Sequence, residues 1–123
     1  MKKKPGIGKM IRAQFLTSII APIILGTLLA VYLNGKLEVL NFIIVMIIGI
    51  GLHVATNVYN DIYDTIQGTD KVNVHRNESS GGSGVLLDHP DLMDKMYFLA
   101  RTGLVLALAG TIALTLLIDK QLW

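Results

Sequence analysis

Three long runs of uncharged residues dominate this sequence and limit what the chain can fold into. The runs 13–33 and 39–59 contain 21 residues each, and the run 97–118 contains 22 residues with Arg101 as its one charge. A helix rises about 1.5 Å per residue, so each run is about 30 Å long, the thickness of the hydrocarbon core of a bilayer. The sequence therefore predicts an all-α membrane protein with three transmembrane helices that has the lipid bilayer as a partner.

The composition excludes several other classes of protein. Only 16% of the residues are charged, whereas soluble domains usually contain about 25%. The net charge of +2 is too balanced to indicate binding of nucleic acid. Because the chain has no cysteine, a disulfide scaffold, a thiolate zinc site and a thiol redox couple are excluded.

The basic residues predict how the chain is oriented in the membrane. Of the 11 lysines and arginines, two follow the first or the third run, at Lys36 and Lys120. The other nine precede the first run or lie in or beside the loop 60–96: Lys2, Lys3, Lys4, Lys9, Arg12, Lys71, Arg76, Lys95 and Arg101. By the positive-inside rule, the N-terminus and the loop 60–96 are expected to be cytoplasmic.

Small residues four positions apart predict close contacts between the membrane helices. Gly26 is followed by Ala30, and Gly103 is followed by Ala107. This spacing lets two helix backbones approach each other in lipid, although glycine is also common in membrane helices for other reasons.

A polar stripe at the end of the second run is the strongest candidate for a functional site. At about 100° per helical residue, Asn57, Asn60, Asp61 and Asp64 fall within an arc of about 100°, and His53 lies one turn deeper. Polar side chains at a membrane boundary are unfavourable unless they face a cavity or a partner. For His53, a contact with substrate is one interpretation; we expect instead an internally hydrogen-bonded histidine that packs between helices.

The oxygen-rich side chains of this segment are suited to Mg²⁺. Gly68 is expected to end the helix in a left-handed conformation, which turns Asp70 back towards the stripe. Mg²⁺ usually takes one or two carboxylates together with water and phosphate oxygens. A Mg²⁺–diphosphate would also relieve the repulsion between the carboxylates.

Three segments resemble the UbiA family of intramembrane prenyltransferases. Residues 57–70, NVYNDIYDTIQGTD, are similar to the first aspartate-rich motif of the family, most of all in the branch that prenylates 1,4-dihydroxy-2-naphthoate during menaquinone biosynthesis. Residues 12–26, RAQFLTSIIAPIILG, are similar to the opening segment of the family, and residues 80–86, SGGSGVL, to the following cytoplasmic loop. Together these segments extend over most of the chain.

The resemblance implies a fold, a reaction and a set of site residues. The chain would be the N-terminal part of a helical bundle of about nine spans in the plasma (inner) membrane. Such an enzyme binds a polyprenyl diphosphate through Mg²⁺ and transfers the prenyl group to an aromatic acceptor. The positions that match the metal–diphosphate motif are Asn60, Asp64 and Asp70, with Asp61 beside them as a further metal ligand. Lys71 and Arg76 are the nearest candidate cations for the diphosphate, and we assign Asn57 to the substrate pocket.

Some residues near these motifs have two explanations that the sequence leaves open. Lys71 and Arg76 are also typical solvated loop charges, and Arg12 is equally consistent with a diphosphate contact and with a role in topology alone. The glycines of residues 77–84 suit either a phosphate contact through backbone N–H groups or a flexible linker. Pro90 is expected to lie at the start of a helix.

The sequence departs from the family pattern in one respect. The second aspartate-rich motif of the family has no counterpart, since Asp119 is the one carboxylate after Asp94. We therefore expect the 123-residue chain to be inactive alone, as part of a longer enzyme (the remainder then being its partner) or of an assembly with a second chain. Two alternatives stay open: a family enzyme with another acceptor, such as 4-hydroxybenzoate or a glycerol lipid, and a non-catalytic membrane protein with a cation-binding loop.

Overall fold

The computed structural model describes residues 5–68 and 84–122, with side chains described as far as residue 118. The described residues form three long helices and two short ones, and contain no strand. The helices are α1 (Ile7–Met10), α2 (Thr17–Asn34), α3 (Val39–Gln67), α4 (Val85–Asp88) and α5 (Met93–Leu122), with 3₁₀ turns at Ala13–Phe15 and Pro90–Leu92. Three candidate membrane spans, Ala13–Asn34, Val39–Gln67 and Pro90–Ile118, are long and apolar enough to cross a bilayer. The predicted fold class is confirmed.

The ends of the long helices follow local sequence signals. Gly35 ends α2 with a φ of 77° and Gly68 ends α3 with a φ of 81°, and both glycines adopt the left-handed conformation that a C-cap requires. The prediction for Gly68 is confirmed. Pro90 opens the 3₁₀ turn that leads into α5, as expected from its fixed φ. Since α3 reaches Gln67, the polar stripe lies on continuous helix.

The closest contact in the fold is between α3 and α5. Gly51 and Ala55 of α3 face Gly103 and Ala107 of α5, and all four residues are buried. Such small residues allow the two backbones to approach each other. The prediction for Gly103 and Ala107 is confirmed. Gly26 of α2, in contrast, is exposed and would have no neighbouring atom within 4 Å of an added Cβ.

Helix α2 packs against α3 more loosely than α5 does. None of its residues is buried, and Ile19 and Ile23 lie against Gly49 of α3. In the connection to α3, Lys36 Nζ lies 2.6 Å from Glu38 Oε1. The hydrogen bond and the charge of Glu38 raise the pKa of Lys36, but such an exposed pair contributes little to stability.

A small apolar core lies where α3 ends and α5 begins, a region that we call the Asp64 end. It joins α1 and α4 to the long helices. Its buried members are Met10, Val58, Ile62, Val85, Leu86, Leu92, Met96 and Ala100. This core fixes the position of α4, and so of residues 84–92, against the end of α3 and the start of α5.

Candidate functional site

The deeper half of the polar stripe is a hydrogen-bonded pair on α3. His53 and Asn57 are half-buried, and Asn57 Nδ2 lies 2.8 Å from His53 Nε2. The two residues are one turn apart, so the helix itself aligns them. The expected internal hydrogen bond of His53 is confirmed, and its partner lies on the same helix. This bond satisfies part of the polar surface of both side chains at a depth where water is scarce.

The outer half of the stripe is a second pair with the same spacing. The amide Nδ2 of Asn60 donates to Oδ2 of Asp64 at 2.9 Å, and the side chain of Asn60 is exposed. Because the Nδ2 group of Asn60 donates to Asp64, the amide oxygen of Asn60 remains available to coordinate a metal ion or to accept a hydrogen bond. The pair therefore presents carboxylate and amide oxygens at the Asp64 end of α3.

Asp61 lies apart from the other three residues of the predicted stripe. It is 1% exposed, next to the core residues Val58 and Ile62, whereas Asn57 and Asp64 are half-buried. The four residues span an arc on the surface of α3. One edge of this arc faces α4 and α5, and Asp61 lies on that edge. A carboxylate that is buried in this way affects the packing of α3, in addition to any contact that it makes with a ligand. Its role as a metal ligand stays a prediction.

A cavity of about 470 Å³ lies beside the deeper half of the stripe, between α3 and residues 12–19, which lead into the first turn of α2. Its polar lining includes Arg12, His53 and Asn57, together with Ser18 and Thr56. Phe15, Ile19, Gly49 and Leu52 supply the remaining, mainly apolar wall. Basic and amide groups thus share one concave site with apolar surface, which is the usual composition of a small-molecule site.

Arg12 reaches this cavity through an unusual backbone conformation. Its φ of 56° and ψ of 54° are left-handed, and it is the one non-glycine residue with positive φ among the described residues. Its guanidinium carbon lies 4.8 Å from the centre of the Phe15 ring. A non-glycine residue in this conformation is strained by about 1 kcal/mol, and such strain is concentrated at functional sites.

Several predicted site residues fall outside the described residues. Asp70, Lys71 and Arg76 belong to this group, as do residues 77–83 of the glycine-containing loop. Within residues 5–68 and 84–118, no group of three or more His, Cys, Asp or Glu side chains is arranged to hold a metal ion. A metal set that combines Asn60, Asp61 and Asp64 with Asp70 therefore stays a prediction.

A larger cavity of about 880 Å³ lies at the opposite end of the bundle. It is bounded by Pro22, Gly26 and Ala30 of α2 and by Phe42 and Val45 of α3, with the Lys36–Glu38 pair at its edge. Its walls are mostly apolar, and its two charges neutralise each other. We place the candidate site at the smaller cavity because that cavity combines a guanidinium, an imidazole and an amide.

Sequence reasoning did not predict that Arg12 and the His53–Asn57 pair line the same cavity. The two elements are 41 residues apart, from 12 to 53, and only the packing of α2 on α3 brings them together. The available signal was the position of Arg12 directly before an uncharged run, which places its charge at the membrane boundary. That signal indicates how deep Arg12 lies in the membrane, but it does not indicate which helix the side chain of Arg12 faces.

Comparison of the chain with protein-family models, with curated proteins and with solved structures gives no significant match. The resemblance to the UbiA family accordingly rests on the three sequence segments quoted above.

Proposed function

We propose that this chain carries the metal–diphosphate site of an intramembrane aromatic prenyltransferase. The reaction would move a polyprenyl group from its diphosphate to 1,4-dihydroxy-2-naphthoate. The observation that carries the proposal is the position of the Asn60–Asp64 pair, 2.9 Å apart, where a membrane-length helix ends. An amphiphilic substrate with an apolar tail and a diphosphate head requires this combination of apolar span and polar terminus.

The donor set of this pair fits Mg²⁺ as part of a shared coordination sphere. Asp64 supplies a carboxylate and Asn60 an amide oxygen, both of them hard ligands. Mg²⁺ would take its remaining ligands from water, from diphosphate oxygens and from the predicted ligand Asp70. When bound, it would supply charge stabilisation for the departing diphosphate.

The cavity at the His53–Asn57 pair, on the preceding turns of α3, offers the other groups that the reaction needs. Arg12 would stabilise negative charge on the diphosphate through charge-assisted hydrogen bonds. His53 and Asn57 would orient the polar end of the acceptor, and Leu52 and Ile19 would keep water from the reacting carbon. Lys71 and Arg76 remain predicted diphosphate contacts.

A binding experiment tests the metal–diphosphate part of the proposal. The purified chain in lipid nanodiscs is titrated with Mn²⁺, a paramagnetic substitute for Mg²⁺, with and without farnesyl diphosphate. Farnesyl diphosphate is expected to tighten Mn²⁺ binding, and Asp64→Asn to weaken the ternary complex at least about tenfold, as loss of one charged interaction predicts. Asp94→Asn, which removes an exposed carboxylate at the start of α5, is the matched control and should bind as the wild type does.

The result also separates the proposal from its alternatives. Equal Mn²⁺ affinity with and without farnesyl diphosphate would contradict diphosphate binding and favour the non-catalytic cation-binding protein. Binding that Asp64→Asn and Asp94→Asn weaken equally would contradict the site. Where binding is confirmed, dihydroxynaphthoate, 4-hydroxybenzoate and a glycerol lipid are added in turn to the ternary complex. The compound that changes the affinity for farnesyl diphosphate identifies the acceptor class, because the chain alone is expected to bind but not to turn over.

A further inference from the structure

Arg101 is an exposed charge within the membrane-length part of α5. It is the one charged residue between Lys95 and Asp119, and it lies two turns after the start of the helix at Met93. Its guanidinium carbon is 5.2 Å from the centre of the Tyr97 ring, one helical turn away. Among the described residues no carboxylate forms an ion pair with Arg101. The ring orients the guanidinium but does not neutralise it.

Tyr97 is the first member of a row of three tyrosines that extends from α5 to α3. Its ring meets the ring of Tyr59 edge-on, with the ring centres 6.3 Å apart. Tyr59 in turn stacks on Tyr63, again with 6.3 Å between the ring centres. Tyr63 is 51% exposed, so the row ends on the outer surface of the protein.

The composition of this row indicates its depth in the membrane. Tyrosine is enriched at the boundary between lipid and water because its ring is apolar and its hydroxyl is polar. The row lies at the Asp64 end, where α3 leaves its apolar segment, and Arg101 is therefore held close to the phospholipid headgroups. An arginine at this depth extends towards the headgroups and binds a polar group there.

We propose that Arg101, held over Tyr97 at the end of the tyrosine row, binds the phosphate of an anionic membrane phospholipid. The planar guanidinium donates two parallel hydrogen bonds to a phosphate, which an ammonium group cannot do. A phospholipid with net negative charge is preferred because a zwitterionic headgroup brings its own cation to the phosphate. The site includes neither Asn60 nor Asp64, and it does not depend on the proposed reaction.

Native mass spectrometry of the delipidated chain tests this site. The protein is titrated with dioleoyl phosphatidylglycerol and, separately, with dioleoyl phosphatidylcholine, and the lipid-bound fractions are compared. The wild type is expected to bind phosphatidylglycerol more tightly than phosphatidylcholine. Arg101→Gln should weaken phosphatidylglycerol binding about fivefold, the effect of one basic residue at a membrane surface. Lys95→Gln, which removes an exposed lysine of the same helix outside the row, is the matched control. It should change binding less than twofold, because an ammonium group cannot donate the two parallel hydrogen bonds that the proposed site uses.

Variants of the ring and of the guanidinium test how the site is built. Tyr97→Phe keeps the ring and should bind the lipid as the wild type does, whereas Tyr97→Leu should weaken binding. Arg101→Lys keeps the charge but loses the planar fork, so its affinity should lie between those of wild type and Arg101→Gln. Circular dichroism of each variant verifies that its helix content is unchanged.

Three results would overturn the proposal. The first is unchanged phosphatidylglycerol binding in folded Arg101→Gln, and the second is an equal loss in Lys95→Gln, which would indicate diffuse attraction. The third is equal affinity of the wild type for the two lipids.

Discussion

Gly51 and Gly103 face each other so closely that a Cβ added to either residue would lie 2.5 Å from the carbonyl oxygen of the other. The atom in the way is a backbone oxygen in both cases, so a change of side-chain rotamer cannot relieve the overlap. This pair sets the distance between α3 and α5. Through that distance it sets the positions of Asp61 and Tyr59 relative to α5.

We predict that alanine at this crossing destabilises the bundle. Gly51→Ala or Gly103→Ala should each lower the free energy of unfolding by about 1–3 kcal/mol, because the helices must separate to accommodate the methyl group. Gly26→Ala is the matched control, since nothing lies within 4 Å of its added Cβ. Unfolding in mixed detergent micelles, followed by circular dichroism, measures all three variants. Equal stability of Gly26→Ala and Gly51→Ala would contradict the close approach of α3 and α5.

The orientation of the chain can be tested directly because the sequence contains no cysteine. Single cysteines are introduced by Gln67→Cys at the Asp64 end and by Leu37→Cys at the opposite end, both at exposed positions. If the N-terminus is cytoplasmic, a membrane-impermeant maleimide should label Leu37→Cys in intact cells and label Gln67→Cys only after lysis. Labelling in the reverse order would show that the positive-inside rule fails for this chain.

Asp61 and Asp64 are expected to differ in what they do. Asp61 is 1% exposed, so Asp61→Ala should lower the free energy of unfolding by about 1–3 kcal/mol, as loss of a buried polar group with its contacts does. Asp64→Ala, at a half-buried position, should change stability by less than about 0.5 kcal/mol while it weakens Mn²⁺–farnesyl diphosphate binding. Full stability of Asp61→Ala, together with lost Mn²⁺ binding, would instead make Asp61 a ligand.

Much of the fold was predictable because membrane helices depend on local sequence. The length of the uncharged runs sets the three spans, and Gly68 and Pro90 act within their own turns of the chain. The burial of Asp61 was not predictable in this way. Helical periodicity places Asp61 beside Asn57 and Asp64, but which edge of that arc is covered depends on Val85 and on α5. These elements are distant in sequence, and a period of 3.6 residues contains no information about them.

The candidate site was predictable to a similar, partial extent. The i, i+4 spacing of His53 with Asn57 and of Asn60 with Asp64 implies both hydrogen-bonded pairs once the helix is assumed. The left-handed backbone of Arg12 was not predictable, because arginine has no local preference for that conformation. The tyrosine row was likewise not predictable, because its ring contacts depend on the register between α3 and α5. The contact between Gly51 and Gly103 determines that register.

The core at the Asp64 end should depend strongly on Leu86. This residue is 2% exposed in α4, so Leu86→Ala would leave a cavity and lower the free energy of unfolding by about 2–5 kcal/mol. Ile66→Ala is the matched control because Ile66 is 58% exposed, and its effect should stay below about 0.5 kcal/mol. Hydrogen exchange of residues 85–92 provides a local measurement, since the loss of Leu86 should release α4 before the long helices. Unchanged protection of these amides in Leu86→Ala would contradict the position of α4.

Arg12 offers the clearest separation of a structural role from a binding role. Glycine adopts the left-handed conformation without steric strain, whereas alanine is strained there by about 1 kcal/mol or more. Because Arg12 has a φ of 56°, Arg12→Gly should be more stable than Arg12→Ala by about 1 kcal/mol, although both variants lose the contact with Phe15. Both variants should weaken farnesyl diphosphate binding to the same extent, because both remove the guanidinium from the cavity.

The two measurements on Arg12 fail independently of each other. Equal stability of Arg12→Gly and Arg12→Ala would show that the backbone at residue 12 is not held in the left-handed conformation. Unchanged farnesyl diphosphate binding in both variants would remove Arg12 from the diphosphate site and leave its charge with a role in membrane topology. The expected combination, a difference in stability with an equal loss of binding, requires both the strained backbone and the guanidinium, since neither feature alone produces it.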